Sequence, residues 1–167
     1  RIDDAVGRYI EFVKATFPKG MRLDGLRIAV DCANGATYRV GPDTFSELGA
    51  EVIPIGNTPD GLNINANVGA VSPEEMRATV IREKADLGIA FDGDGDRVAM
   101  SDENGRLLEG NALLAIIGAD RLEQGELPQK TLAATIMANG GLEKALAPLG
   151  GKVVRANVGD RYVVEAM

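Results

Sequence analysis

Three carboxylates stand at alternate positions in F-D-G-D-G-D-R, Asp92, Asp94 and Asp96, with Gly93 and Gly95 between them and Arg97 directly after. An extended chain would line all three along one face, and the glycines let the backbone curl so that the carboxylates converge. Convergent carboxylates repel, so they either splay into water as an acidic surface turn or hold a hard cation, for which Mg²⁺ suits a small oxygen site. A calcium loop is the nearest alternative: with Asp92 as its first position, Asp94, Asp96 and Glu103 fall third, fifth and twelfth. That pattern breaks where the sharp turn needs glycine and the chain has Arg97, and where Met100 stands at the ninth position and cannot ligate. An arginine after three aspartates suits another arrangement, in which a cation and a guanidinium share a phosphate.

The elements around this run read as alternating strands and helices. Val6, Tyr9, Ile10, Val13 and Phe17 share one helical face, predicting a helix to about Phe17, where Pro18 and Gly20 stop it. L-R-I-A-V-D at 26–31 is a strand ending in the turn A-N-G, and T-F-S-E-L-G-A-E-V-I-P-I reads as a helix end, a stop at Gly49 and a second strand. Residues 56–71 are rich in Gly, Asn and Pro without a period and form a long surface loop. Ser72 as N-cap, Pro73 and Glu75 begin a helix over about 73–84. A-D-L-G-I-A-F leads as a strand into the aspartates, R-V-A-M-S-D follows as another, E-N-G turns, and a helix runs over 112–123.

Composition narrows the class. A chain of 167 residues with 45% hydrophobic content can bury a core. The longest apolar run, residues 112–119, is too short for a membrane span, and the opening residues lack the pattern of a signal peptide. An N-terminal Arg in place of Met reads as an internal piece of something longer. The net charge of −7, with no basic block and 4% aromatic content, argues against nucleic acid. The single Cys32 rules out an intrachain disulfide and a cysteine zinc site, which fits a reducing cytoplasm, and the absence of histidine removes imidazole chemistry. Cys32 itself reads as a small buried residue with no basic neighbour to activate it.

The chain then starts again. I-A-V-D-C-A-N-G at 28–35 and A-A-T-I-M-A-N-G at 133–140 are each followed by a helix ending in Leu-Gly and by a valine-rich strand, the mark of a duplicated α/β domain. The expected division is a first domain over 1–124, a linker over 125–130 and the start of a second domain over 131–167, which should pack poorly alone. Asn34 and Asn139, between strand and helix, read as turn formers rather than anion ligands.

With V-D-C-A-N-G-A at 30–36 and P-D-G-L-N-I-N at 59–65, the aspartate run resembles the α-D-phosphohexomutase superfamily over nearly the whole chain. The 59–65 loop and V-G-D-R-Y-V at 158–163 are most similar to its glucosamine-phosphate branch. The resemblance implies an α/β fold: a βαβ-based mixed sheet with flanking helices, then the opening βαβ of a second, similar domain, together domain 2 and the start of domain 3 of a four-domain enzyme. It implies a cytoplasmic, Mg²⁺-dependent mutase that interconverts glucosamine 6-phosphate and glucosamine 1-phosphate for cell-wall precursors, through a phosphoserine and a bisphosphorylated sugar. Asp92, Asp94 and Asp96 would hold the Mg²⁺, Arg97 would stabilise the phosphate, and Asp160 and Arg161 would face the phosphorylated hexosamine. Neither nucleic acid nor membrane is implied as a partner. The family's active-serine loop and its Gly-Glu-x-Ser-Gly-His sugar loop do not occur in these residues, so this stretch alone should be inactive. Another phosphohexomutase, or a non-catalytic Mg²⁺- or Ca²⁺-binding module, are the alternatives.

Overall fold

Ile28, Val30 and Cys32 alternate with Ala29 and Asp31 at the end of the first strand, and all five are buried. In the computed structural model, which describes residues 3–167, this alternation places large side chains on one face and small ones on the other. Arg1 and Ile2, at the head of the stretch read as free of a signal peptide, lie outside the described residues. The chain divides into two units, Arg1–Leu108 and Glu109–Met167.

The first unit is built on a five-stranded mixed sheet in the order β2 (Glu51–Ile55), β1 (Arg27–Asp31), β3 (Leu87–Phe91), β4 (Val98–Ser101) and β5 (Leu107–Leu108). β1 runs parallel to both β2 and β3, with Val30 opposite Pro54 on one side and Ile89 on the other. β4 returns antiparallel to β3, and β5 to β4. Ile28, Val30, Cys32 and Ile89 pack with Leu23, Leu26 and Phe45 of α2 (Val40–Glu47). Ala29 and Ala90 meet Met76 and Val80 of α3 (Glu74–Glu83) on the opposite face. Small residues there let α3 approach closely: a Cβ on Gly88 would lie 2.0 Å from the Met76 sulfur. Burying a side chain of Val or Ile size in such layers contributes roughly 1.5–3 kcal/mol.

Because β1 lies between β2 and β3, the chain leaves it toward β2 through α2 and comes back to its other flank through α3. The loops after β1 and β3 therefore open from adjacent parallel strands at the point where the strand order reverses, where open α/β sheets form their ligand crevice.

Two helix ends differ from the sequence reading. α1 (Ala5–Lys14), capped by the Asp4 carboxylate on the Gly7 N–H at 3.1 Å, stops short of Phe17; tighter turns carry the chain on, with the Phe17 N–H bonded to Lys14 O at 3.0 Å. Ser72 does not cap α3. Its hydroxyl donates to the Glu74 carboxylate at 3.0 Å, and Pro73 stands at the N-cap without a side-chain bond.

In the second unit β6 (Thr131–Thr135) and β7 (Lys152–Ala156) pair in parallel, joined through α5 (Gly141–Leu146), and α6 (Asp160–Ala166) follows. Its core joins Ala134, Leu142 and Leu146 to Leu114, Ala115, Ala119 and Leu122 of α4 (Gly110–Glu123). The division thus falls before α4, earlier than the break expected near residue 124. The apolar run 112–119 is the cover of the second core, and the polar stretch 125–130 lies inside that unit as its lead into β6. Among the described residues no helix is long and apolar enough to cross a membrane.

Candidate metal centre

Asp92 follows the last residue of β3 and is only 1% exposed, whereas Asp94 and Asp96 stand in solvent. Gly95 takes φ +78°, a value that costs glycine little, and its N–H closes a turn onto Asp92 O at 3.1 Å. This curl brings one oxygen of each aspartate within 4.8 Å of the others. An octahedral shell of about 2.1 Å radius separates its ligands by about 3 Å when adjacent and about 4.2 Å when opposite, so a small contraction around a cation suffices. The donors are all hard oxygens, which suits Mg²⁺ or Ca²⁺ and disfavours soft metals. Phe91 pairs with Val98 across the loop, so the flanks are antiparallel strands and not the helices of a calcium hand.

Arg97 pins the buried member. Its N–H donates to Asp92 Oδ1 at 3.0 Å and its Nε to Oδ2 at 2.9 Å, while Asp96 lies 3.7 Å from the same Nε. Each carboxylate oxygen keeps a lone pair free for a cation. Burial pushes the Asp92 carboxyl up, but the two hydrogen bonds and the charge of Arg97 together bring it below the usual carboxylate range. Asp96 shifts the other way, raised first by the negative charge of Asp94, then by partial desolvation and by Asp92. The cluster therefore has one carboxylate that is fixed and ionised and another whose charge is opposed, a field that a divalent cation relieves.

Two further loops grip this turn. The A-N-G turn after β1 touches it backbone to backbone: a Cβ on Gly35 would sit 2.2 Å from Gly93 O, and the Ala36 N–H donates to that oxygen at 2.8 Å. The 56–71 loop folds over the other side, with the Ala70 N–H on Phe91 O at 2.8 Å and the side chains of Ile64 and Asn65 over Gly93. Asp31 joins these two loops. Fully buried, it accepts from the Ala33 N–H at 2.9 Å and from the Gly69 N–H at 2.7 Å. The sequence reading left Asp31 and the 56–71 loop without a role; the available signal was a carboxylate ending an otherwise apolar strand directly before a turn.

The other expected residues fall as follows. Asn34, in the left-handed region at φ 49°, bonds the Thr58 N–H and Asn63 O with its side chain and so shapes the loops. Cys32 is buried, and burial pushes its thiol up to about 11, in keeping with an unreactive core residue. Asp160 opens α6 in the second unit and Arg161 pairs there with Glu165 at 2.8 Å, both exposed. They sit in a different unit from the aspartate cluster.

Comparison with known proteins matches this architecture. Residues 7–105 fit the model of phosphoglucomutase/phosphomannomutase alpha/beta/alpha domain II, and residues 109–167 that of domain III. The chain is 58% identical over all 167 residues to a phosphoglucosamine mutase of Anaeromyxobacter dehalogenans, of which it covers 36%. It is 56% identical to that of Aeromonas hydrophila, covering 37%. It thus spans little more than a third of the length of the curated relatives it matches. Among solved structures, a phosphoglucomutase/phosphomannomutase family protein of Burkholderia thailandensis superposes with a TM-score of 0.83 at 23% identity, over 98% of this chain and 35% of that one. An N-acetylglucosamine-phosphate mutase superposes with 0.61 at 19% identity, over 96% and 32%. The chain belongs to the phosphoglucomutase/phosphomannomutase family, in which its two units are domain II and residues of domain III.

Proposed function

We propose that these residues are the metal-loop segment of a cytoplasmic, Mg²⁺-dependent phosphoglucosamine mutase, which interconverts glucosamine 6-phosphate and glucosamine 1-phosphate for cell-wall precursor synthesis. The observation that carries the reading is the preorganised Asp92–Asp94–Asp96 cluster with Arg97 locked beside it, in a chain more than half identical to phosphoglucosamine mutases along its whole length. In this reading Asp92, Asp94 and Asp96 hold the Mg²⁺, which when bound supplies Lewis-acid neutralisation of a phosphoryl oxygen. Arg97 presents a second positive charge at a fixed place, because Asp92 and the backbone bond orient it before any phosphate arrives. The phosphoryl group passes from a phosphoserine to one sugar hydroxyl, giving a bisphosphorylated sugar, and returns to serine from the other position. Asp160 and Arg161 contact the phosphorylated hexosamine.

Histidine is absent and no active-serine loop of the family's Ser-His-Asn-Pro type occurs in the 167 residues, so these residues by themselves do not turn over. The test is an assay of the intact protein on glucosamine, glucose and mannose phosphates, with and without Mg²⁺. Turnover that depends on the divalent ion and prefers glucosamine phosphate supports the reading. Preference for glucose or mannose phosphate moves the protein to another branch of the family, and metal binding without turnover of any of them leaves a binding module.

A further inference from the structure

We propose that Asp31 is the positioning residue of the metal centre: it does not ligate, but it holds the two neighbouring loops that set the backbone on either side of Asp92. This rests on the reading of the three aspartates as a divalent-cation site.

The chain of contacts is short. Asp31 is 0% exposed at the C-terminal end of β1, and its two oxygens are divided between two segments. One oxygen takes the Ala33 N–H and fixes the start of the A-N-G turn, whose Ala36 N–H reaches Gly93 O at 2.8 Å. The other takes the Gly69 N–H, and the next N–H, of Ala70, reaches Phe91 O at 2.8 Å. The carbonyls before and after Asp92 are therefore held by donors, Ala70 and Ala36, that lie one and three residues beyond the N–H groups bonded by Asp31. Gly69 adapts to this position with φ +86°, where a Cβ would lie 2.5 Å from Ala33 Cβ and 2.7 Å from Phe91 O, so the three segments meet with no room for a side chain. The Asn65 N–H on Ala33 O at 2.8 Å closes the same junction.

A buried carboxylate without a cationic partner is costly, and here only backbone donors stabilise it. A turn at the end of β1 needs a single acceptor. The second oxygen of Asp31 is explained by the bridge to Gly69, and through it to the metal loop. Ligand carboxylates held by supporting hydrogen bonds bind metal more tightly, and loss of such support typically weakens affinity 10- to 100-fold.

The experiment uses the intact protein, titrated with Mn²⁺ as a paramagnetic stand-in for Mg²⁺, alongside urea unfolding. Asp31→Asn keeps the shape but turns one acceptor into a donor, and Asp31→Thr keeps one acceptor for the turn and removes the bridge. Val80→Ala, at a fully buried site on α3 beside Gly88, is the control for general destabilisation. The expected result is a Mn²⁺ dissociation constant raised about tenfold or more in both Asp31 variants and unchanged in Val80→Ala at comparable stability. Asp31 variants that lose stability but bind Mn²⁺ within twofold of wild type would assign Asp31 to the fold alone and overturn the proposal. Wild-type protein that fails to bind Mn²⁺ would instead remove the metal-centre reading on which the proposal stands.

Discussion

Replacing Gly35 by alanine tests the backbone contact at the heart of the site, because two effects of the same methyl group have opposite signs. Gly35 is not among the positive-φ residues, so alanine is free to adopt its conformation. On chain entropy alone the substitution stabilises by about 0.4–1 kcal/mol. Against this, the new Cβ would lie 2.2 Å from Gly93 O and 2.6 Å from Gly93 Cα, both backbone atoms that cannot rotate away. Reaching an ordinary contact of roughly 3.3–3.5 Å means parting the two loops by about 1 Å. That shift stretches the Ala36–Gly93 bond from 2.8 Å past the limit of a useful hydrogen bond. Overpacking costs about 1–3 kcal/mol and the lost bond about 1 kcal/mol, leaving a net destabilisation of about 1–3.5 kcal/mol. For a domain of this size, at roughly 4 °C per kcal/mol, the melting temperature falls by about 4–14 °C. Thermal unfolding read by circular dichroism measures it, with Gly140→Ala as control. That glycine belongs to the second A-N-G turn, has φ −68° and no atom within 4 Å of its would-be Cβ, and should keep or gain stability, by up to about 1 kcal/mol. A Gly35→Ala protein as stable as wild type, or more so, would refute the close approach of the two loops.

Asp94→Asn is expected to abolish the response of the protein to Mg²⁺ and to bring the Asp96 carboxyl back toward its usual range, since Asp94 is the main charge raising it; carboxyl-carbon NMR titration reads both, and an unmoved Asp96 contradicts the coupling. Arg97→Lys keeps the charge and the backbone bond but loses the Nε–H bond to Asp92, and should lower turnover of the intact protein roughly 100-fold with the fold unchanged. Unchanged turnover would leave Arg97 as a structural partner of Asp92 only. In the second unit the Arg155 hydrogen bonds hold the Glu143 carboxyl below its ordinary value of 4.5, so its share of stability is present above that value and is lost as pH falls through the depressed one. Arg155→Met should flatten this acid loss, and unfolding curves of equal pH slope for the two proteins below about pH 5 would count against it.

The strands and the aspartate loop were legible because each is a local pattern: alternating or continuous apolar residues for β1 and β3, a periodic apolar run behind Pro73 for α3, and carboxylates set by glycines at 92–96. Pairing is not local. Nothing in L-R-I-A-V-D says that it lies between β2 and β3, and its place beside β3 is what sets the A-N-G turn against the metal loop. The 56–71 loop was visible as a loop and silent in purpose, because its bonds to Phe91 O and Asp31 run from backbone N–H groups that every residue but proline possesses. Helix α4 misled for a related reason. Its apolar residues announce a buried face but not which core buries it, and Leu142 and Leu146, which do, come later in the chain.

The two A-N-G turns separate what a turn requires from what a site requires. Asp31 closes β1 opposite Ile55, and Thr135 closes β6 opposite Ala156, in the same parallel register. Both accept from the N–H two residues on, Asp31 from Ala33 at 2.9 Å and Thr135 from Met137 at 3.3 Å. A hydroxyl with one oxygen is thus enough to make the turn before Ile136 and Met137. In the first unit the corresponding residues, Cys32 and Ala33, are fully buried, because the 56–71 loop and the metal loop close over them. Burying a carboxylate in place of a hydroxyl is the more costly choice, and what it adds is a second acceptor directed at Gly69. The duplicated frame supplies strand, turn and helix in both units. In the first unit the metal centre depends on β3 delivering its aspartates beside that turn, and on a buried acid able to hold two loops at once.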